Sequence, residues 1–248
     1  MSTETAGRVQ LHRDGPVGRI VLDRPAKRNA LSTHLLGELS RCLDDVAADS
    51  RIRVVTLEGA GPVFCAGADT VEFGSTTAEL IRGAWTRLGQ QVFGDLATLP
   101  QTTVALLSGS AFGGGLELAM HCDFRVAGEN IEVGLPEASL GTAPGWAGVQ
   151  RITEVAGLTT ARLLVLTARR HTAEEALRMR LVDIVAADPE LATKRLVSDI
   201  LATTPVAQSI LKRALISTAP TTSSALIDSL AGAYLAAHGE TTPRKTTP

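Results

Sequence analysis

Gly109-Ser110-Ala111-Phe112-Gly113-Gly114-Gly115-Leu116-Glu117 is the stretch on which the reading turns. Three consecutive glycines stand before an apolar segment, 116–122, with the composition of a buried helix. Glycines at a helix start leave backbone N–H groups uncovered, and the helix N-terminus favours negative charge beside them. No Gly-Lys-Ser/Thr follows, which excludes a nucleotide P-loop, and Ser110 lacks the Gly-x-Ser-x-Gly flanks of a hydrolase elbow. Glu117 falls between Leu116 and Leu118. A buried carboxylate is costly without a partner, so this one is ion-paired, exposed or functional.

Working outward, 103–107 reads as a strand entering the glycine run, and the chain returns to the sheet at 124–126. Residues 9–23 read as two short strands around Asp14-Gly15-Pro16-Val17-Gly18. Ser32 opens a helix to about Asp49, with Leu35, Leu36, Leu39, Leu43 and Val46 on one stripe. A buried strand at 54–57 and a helix at 77–98 complete an alternation that predicts an α/β fold. Beyond Gly145 the signal is almost wholly helical, at 158–166, 172–179, 189–201, 205–216 and 222–237. The expected division is a core over 1–188 and a C-terminal helical region over 189–248.

Two further segments stand out. Phe64-Cys65-Ala66-Gly67-Ala68-Asp69 puts small residues after a strand, either as a tight turn or as a place where a ligand approaches the backbone. Leu135-Pro136-Glu137-Ala138-Ser139-Leu140-Gly141-Thr142-Ala143-Pro144-Gly145-Trp146 places Pro-Glu at a helix start, which by itself is ordinary first-turn dipole chemistry. Trp146 reads equally as a pocket wall or as core. Cys65 lacks an evident histidine partner and reads as a small packing residue. His121-Cys122-Asp123 cannot close a zinc set from adjacent positions, so no metal is expected.

A chain of 248 residues with 44% apolar and only 3% aromatic residues builds its core from Leu, Val, Ile and Ala. A net charge of −2 offers no general attraction to nucleic acid or an anionic membrane. Three cysteines without CxxC spacing fit a reducing compartment. The first ten residues hold no apolar h-region, and no apolar run approaches about 18 residues. The expectation is a cytoplasmic protein.

Taken together and in order, the segments resemble the crotonase family, also called the enoyl-CoA hydratase/isomerase superfamily, and within it the enoyl-CoA hydratases. The resemblance is carried by Arg24-Pro25, Asn29-Ala30-Leu31, Ala66-Gly67-Ala68-Asp69, Gly113-Gly114-Gly115-Leu116-Glu117 and Pro136-Glu137-Ala138-Ser139-Leu140-Gly141. It implies a ββα spiral core with a C-terminal helical oligomerisation region, an acyl-CoA thioester as partner, and assembly as a trimer or dimer of trimers. It implies an oxyanion hole from the N–H groups of Ala68 and Gly114. Glu117 would activate water and Glu137 would handle the α-carbon proton, as in hydration of a 2-enoyl-CoA. By the same resemblance Lys27, Arg28 and Ala30 fall near the adenine and phosphates, and Asp69 and Thr70 along the pantetheine and acyl route. Ala66, Gly67, Gly113, Pro136 and Gly145 complete the expected acyl-CoA site, and no cofactor is implied beyond the CoA of the substrate. Two solvated turn cations are an equal reading of Lys27 and Arg28. The rivals are a double-bond isomerase, a CoA binder without turnover, and an RNA-binding relative, which the charge and scarce aromatics disfavour. The segment 229–238 departs from the hydratase pattern, with Tyr234 its only aromatic.

Overall fold

A computed structural model of the chain describes residues 6–216. In chain order its strands are β1 (Arg8–Asp14), β2 (Val17–Asp23), β3 (Val54–Gly59), β4 (Val63–Cys65), β5 (Thr102–Leu107), β6 (Ser110–Phe112), β7 (Phe124–Gly128), β8 (Glu132–Gly134), β9 (Arg170–Thr172) and β10 (Ile184–Ala186). They form a six-stranded sheet, β1-β2-β3-β5-β7-β10, and a four-stranded sheet, β4-β6-β8-β9. Pairing is parallel except between β1 and β2 and between β8 and β9.

Three times a strand of the large sheet is followed at once by a short strand of the small one: β3 to β4, β5 to β6, β7 to β8. A helix or helical turn follows each pair, and this repetition is the ββα spiral expected from the resemblance. Every residue of β5 is buried, as suits a parallel strand covered on both faces.

Helix Thr33–Ala48 covers one face of the large sheet with Leu35, Leu36, Leu39, Cys42, Leu43 and Val46. It starts where Ser32 Oγ accepts the N–H of Leu35 at 3.2 Å. The expected helix at 77–98 begins at its Thr77 cap, passes through a π-helical stretch at Ile81–Trp85 and continues as Thr86–Thr98.

Two features depart from the expectation. Beyond Gly145 the chain is not wholly helical: β9 closes the small sheet and β10 adds an edge to the large one beside β7. A further helix, Thr70–Ser75, follows the Ala-Gly-Ala-Asp loop. Helix Pro189–Leu201 places Val197 and Ile200 against Val54, Val104 and Val126, so this stripe covers its own sheet. Helix Pro205–Ile216 is tied down by Lys212, whose Nζ lies 2.7 Å from Asp123 Oδ2 and donates to Gln101 O at 2.9 Å. The helix read at 222–237 lies outside the described residues.

Candidate active site

The first wall of the site is the loop 66–69, held by the turn that precedes helix Thr33–Ala48. Arg28 and Asn29 both take left-handed backbone, at φ 52° and 54°. Asn29 Oδ1 accepts Arg24 N at 2.9 Å, while Nδ2 donates to the carbonyls of Ala60 and Val63. Ala66 N donates to Arg28 O, Leu31 N to Gly67 O and Asp69 N to Leu31 O, at 2.9, 2.8 and 2.9 Å. That parallel bridge uses the Gly67 carbonyl and the Asp69 N–H on either side of Ala68 and leaves the Ala68 N–H without an acceptor among the described residues.

The second wall is the glycine loop. Gly113 has φ 51° and ψ −129°, and a Cβ there would stand 2.7 Å from Glu137 Oε1. Gly67, at φ 102°, would bring a Cβ to 2.9 Å from Phe112 O and 3.3 Å from Gly114 N. The two loops therefore meet backbone to backbone, an approach only glycine allows. Gly114 is the first residue of helix Gly114–Met120, where an N–H has no intrahelical partner.

Glu117, one helical turn further, is 1% exposed. Its Oε1 accepts the backbone N–H groups of Trp146 at 3.0 Å and Gly148 at 2.8 Å. Burial pushes its carboxyl up to about 7; the Glu137 charge adds to the rise, and the two N–H groups oppose it. Glu137 opens the 3-10 turn Glu137–Leu140 and is half-buried. Burial raises its pKa too, and its Oε2 has no hydrogen-bond partner among the described residues. Both glutamates face one cavity of about 110 Å³. A wider groove of about 550 Å³ between Ala47 and Ile210 carries no carboxylate, so chemistry rather than size selects the site.

Of the residues expected in the site, Ala66, Gly67, Ala68, Thr70, Gly113, Gly114, Glu117, Pro136, Glu137 and Gly145 line this cavity. Lys27, Arg28, Ala30 and Asp69 do not. Lys27 and Arg28 are exposed on the turn, and Ala30 offers its carbonyl to Arg24 Nη1 at 2.9 Å. The Asp69 carboxylate is engaged by its own surroundings. Its Oδ2 meets Arg24 Nη1 at 2.7 Å, and its Oδ1 caps the helix Thr70–Ser75 through the N–H groups of Val71 and Glu72.

The aromatic wall was not legible beforehand. Trp146 is buried, with its ring centroid 4.5 Å from Trp85 and 5.4 Å from Phe93; Phe73 stands edge-on to Trp85. The Pro-Gly turn before Trp146 was the only local signal. Gly148 gave no signal of its role as a donor to Glu117.

Cys65 and Cys122 are buried, and burial pushes both thiols up to about 12. His121 Nδ1–H donates to the Glu117 carbonyl at 2.7 Å, and burial lowers its pKa. Among the described residues no group of three His, Cys, Asp or Glu side chains is placed to hold a metal ion. None of their helices is long and apolar enough to cross a membrane.

This architecture matches known proteins. A short-chain-enoyl-CoA hydratase from Clostridium acetobutylicum is 37% identical over 211 residues, covering 84% of this chain and 80% of its own. The crystal structure of an enoyl-CoA hydratase from Bacillus anthracis superposes with a TM-score of 0.89 at 31% identity, over 94% of this chain and 92% of that one. A Thermobifida fusca protein solved in complex with acetoacetyl-CoA gives a TM-score of 0.85 at 29% identity, over 96% of this chain and 98% of that one. The enoyl-CoA hydratase/isomerase family model matches residues 12–233. With its ββα spiral and its glycine-walled cavity, the chain belongs to the enoyl-CoA hydratase/isomerase family.

Proposed function

We propose that the protein is an enoyl-CoA hydratase that adds water reversibly across the 2,3 double bond of an enoyl-CoA thioester to give the 3-hydroxyacyl-CoA. The observation that carries this reading is the convergence of Glu117 and Glu137 on one cavity beside the free N–H of Ala68 and the helix-start N–H of Gly114. The acetoacetyl-CoA bound by the Thermobifida fusca neighbour supports an acyl-CoA thioester as ligand.

In the proposed reaction the Ala68 and Gly114 N–H groups hold the thioester oxygen. Water oxygen bonds to C3 while its proton passes to ionised Glu117. The C2–C3 π pair moves to the thioester oxygen as an enolate. Protonated Glu137 then gives its proton to C2, the carbonyl re-forms, and proton exchange with solvent resets the pair. Each oxyanion donor contributes roughly 3–4 kcal/mol by lying in place before charge develops. Burial raises both carboxyls, which suits groups that must hold and pass protons, and their apparent pKa values belong to the pair.

Lys27 and Arg28, exposed beside the loop, would meet CoA phosphates, and Thr70 would border the pantetheine arm. CoA arrives as part of the substrate and no other cofactor is required. The reading includes a homotrimer or dimer of trimers built through the C-terminal helices, working in the cytoplasm.

The test is loss of the conjugated enoyl-thioester absorbance of crotonyl-CoA, with Glu117→Gln and Glu137→Gln alongside. Rapid loss in the wild type with collapse in both variants supports the paired-acid hydratase, since residues acting as a unit fail together. Loss that survives Glu117→Gln removes that residue's role. Gain of conjugation from a 3-enoyl-CoA, with no hydration of crotonyl-CoA, makes the protein an isomerase that uses Glu137.

A further inference from the structure

We propose that the indole of Trp146 is the depth stop of the acyl pocket and restricts the protein to short-chain acyl thioesters; this rests on the acyl-CoA reading of the same cavity. The thioester oxygen belongs at the Ala68 and Gly114 amides. A Cβ on Gly114 would overlap the indole ring and lie 3.5 Å from Ala68 N, so the ring borders the amide pair directly. The ring is buried and packed against its neighbours. A Cβ on Gly89 would overlap Nε1, Phe93 closes the edge at 5.4 Å, and Trp85 covers a face at 4.5 Å. An acyl chain passes this point only by displacing the ring.

The indole is held there by shape. Its Nε1 is buried without a hydrogen-bond partner, whereas a buried tryptophan N–H ordinarily has one. What the residue supplies is therefore volume, fitted between two glycines. The cavity that remains is about 110 Å³. That is small beside the roughly 300–1,000 Å³ of an ordinary ligand pocket.

Backbone and side chain of this residue do separate things. The Trp146 N–H holds Glu117 Oε1 at 3.0 Å, and a change of side chain leaves that donor in place. Chain-length selectivity should then shift apart from the proton chemistry.

The experiment measures kcat/KM for 2-enoyl-CoA substrates of four, six, eight and ten carbons in the wild type, Trp146→Leu and Trp146→Phe. The wild type is expected to lose on the order of tenfold or more between four and eight carbons, since a few methylenes without a pocket carry that much discrimination. Trp146→Leu should level that fall. Trp146→Phe, which keeps a ring between the glycines, should move the limit towards six carbons and carries the test if Trp146→Leu does not fold. Equal values for four and eight carbons in the wild type, or an unchanged profile in the variants, overturns the proposal. If no enoyl thioester turns over, calorimetric binding of butyryl-CoA and octanoyl-CoA decides. Tighter butyryl-CoA binding that is levelled in the variants keeps the depth stop and overturns the hydratase reading. Equal binding in the wild type overturns the depth stop, and binding of neither thioester overturns both.

Discussion

Gly148 donates its backbone N–H to Glu117 Oε1 at 2.8 Å, and the same glycine has no room for a side chain, because a Cβ would run into the Glu117 side chain. A residue with no chemistry of its own thus sets where the carboxylate stands. Gly148→Ala is expected to lower kcat/KM on crotonyl-CoA by about 100-fold, the usual effect of displacing a reacting group by about 1 Å. The far-ultraviolet circular dichroism should stay unchanged. A loss smaller than about threefold would show that Glu117 is positioned by other contacts.

The buried acid also leaves a mark on stability. Glu117 rises from an ordinary value of 4.5 to about 7 on folding, chiefly through burial. A raised carboxyl contributes its full stability below the unfolded value and loses it as pH rises through the folded one. The wild type should therefore lose about 3 kcal/mol relative to Glu117→Gln between about pH 4 and pH 8. Denaturant melts of both proteins across that range test this; parallel curves would mean that the carboxyl is not perturbed.

Arg24 and Asp69 form an ion pair at 2.7 Å with both side chains largely buried. Burial pushes the Asp69 carboxyl up, but Arg24 and the helix N–H groups more than offset this and hold it below the usual range. Arg24→Met leaves that carboxylate unpaired and is expected to cost about 3–5 kcal/mol. Asp69→Asn, which keeps a capping oxygen, should cost less. Urea unfolding of the two variants gives the order, and a reversed order would mean that the cap outweighs the pair.

Cys65 and Cys122, with thiols pushed up to about 12 by burial, are expected to resist a disulfide reagent at pH 8 in the native state and to react fully in denaturant. Thiol titration with and without guanidinium measures this directly. Fast native labelling of Cys65 would reopen it as a nucleophile.

Much of the fold was legible because its signals are local. Ser32 caps the helix it was expected to open, Thr77 begins the next, and the runs at 54–57 and 103–107 lie within β3 and β5. The small sheet was not legible: β4, β6, β8 and β9 are each three residues long, too short for an alternating pattern to register. Among the site residues, the glycines and the two glutamates stood out through their motifs, whereas Trp146 looked equally like core.

What the sequence determined by itself is the order of the longer strands and helices, the glycine-rich backbone at 113–115 and the presence of two acids in a family pattern. Those features follow from propensities and steric limits acting over a few neighbouring residues. Only the tertiary structure decided that Gly148 and Trp146 hold Glu117, that Asp69 serves Arg24 and a helix cap, and that an indole fills the space between Gly89 and Gly114. Apart from the Asp69 cap, each of those contacts joins residues distant along the chain, and no local pattern encodes a distance that exists only once the ββα units have packed.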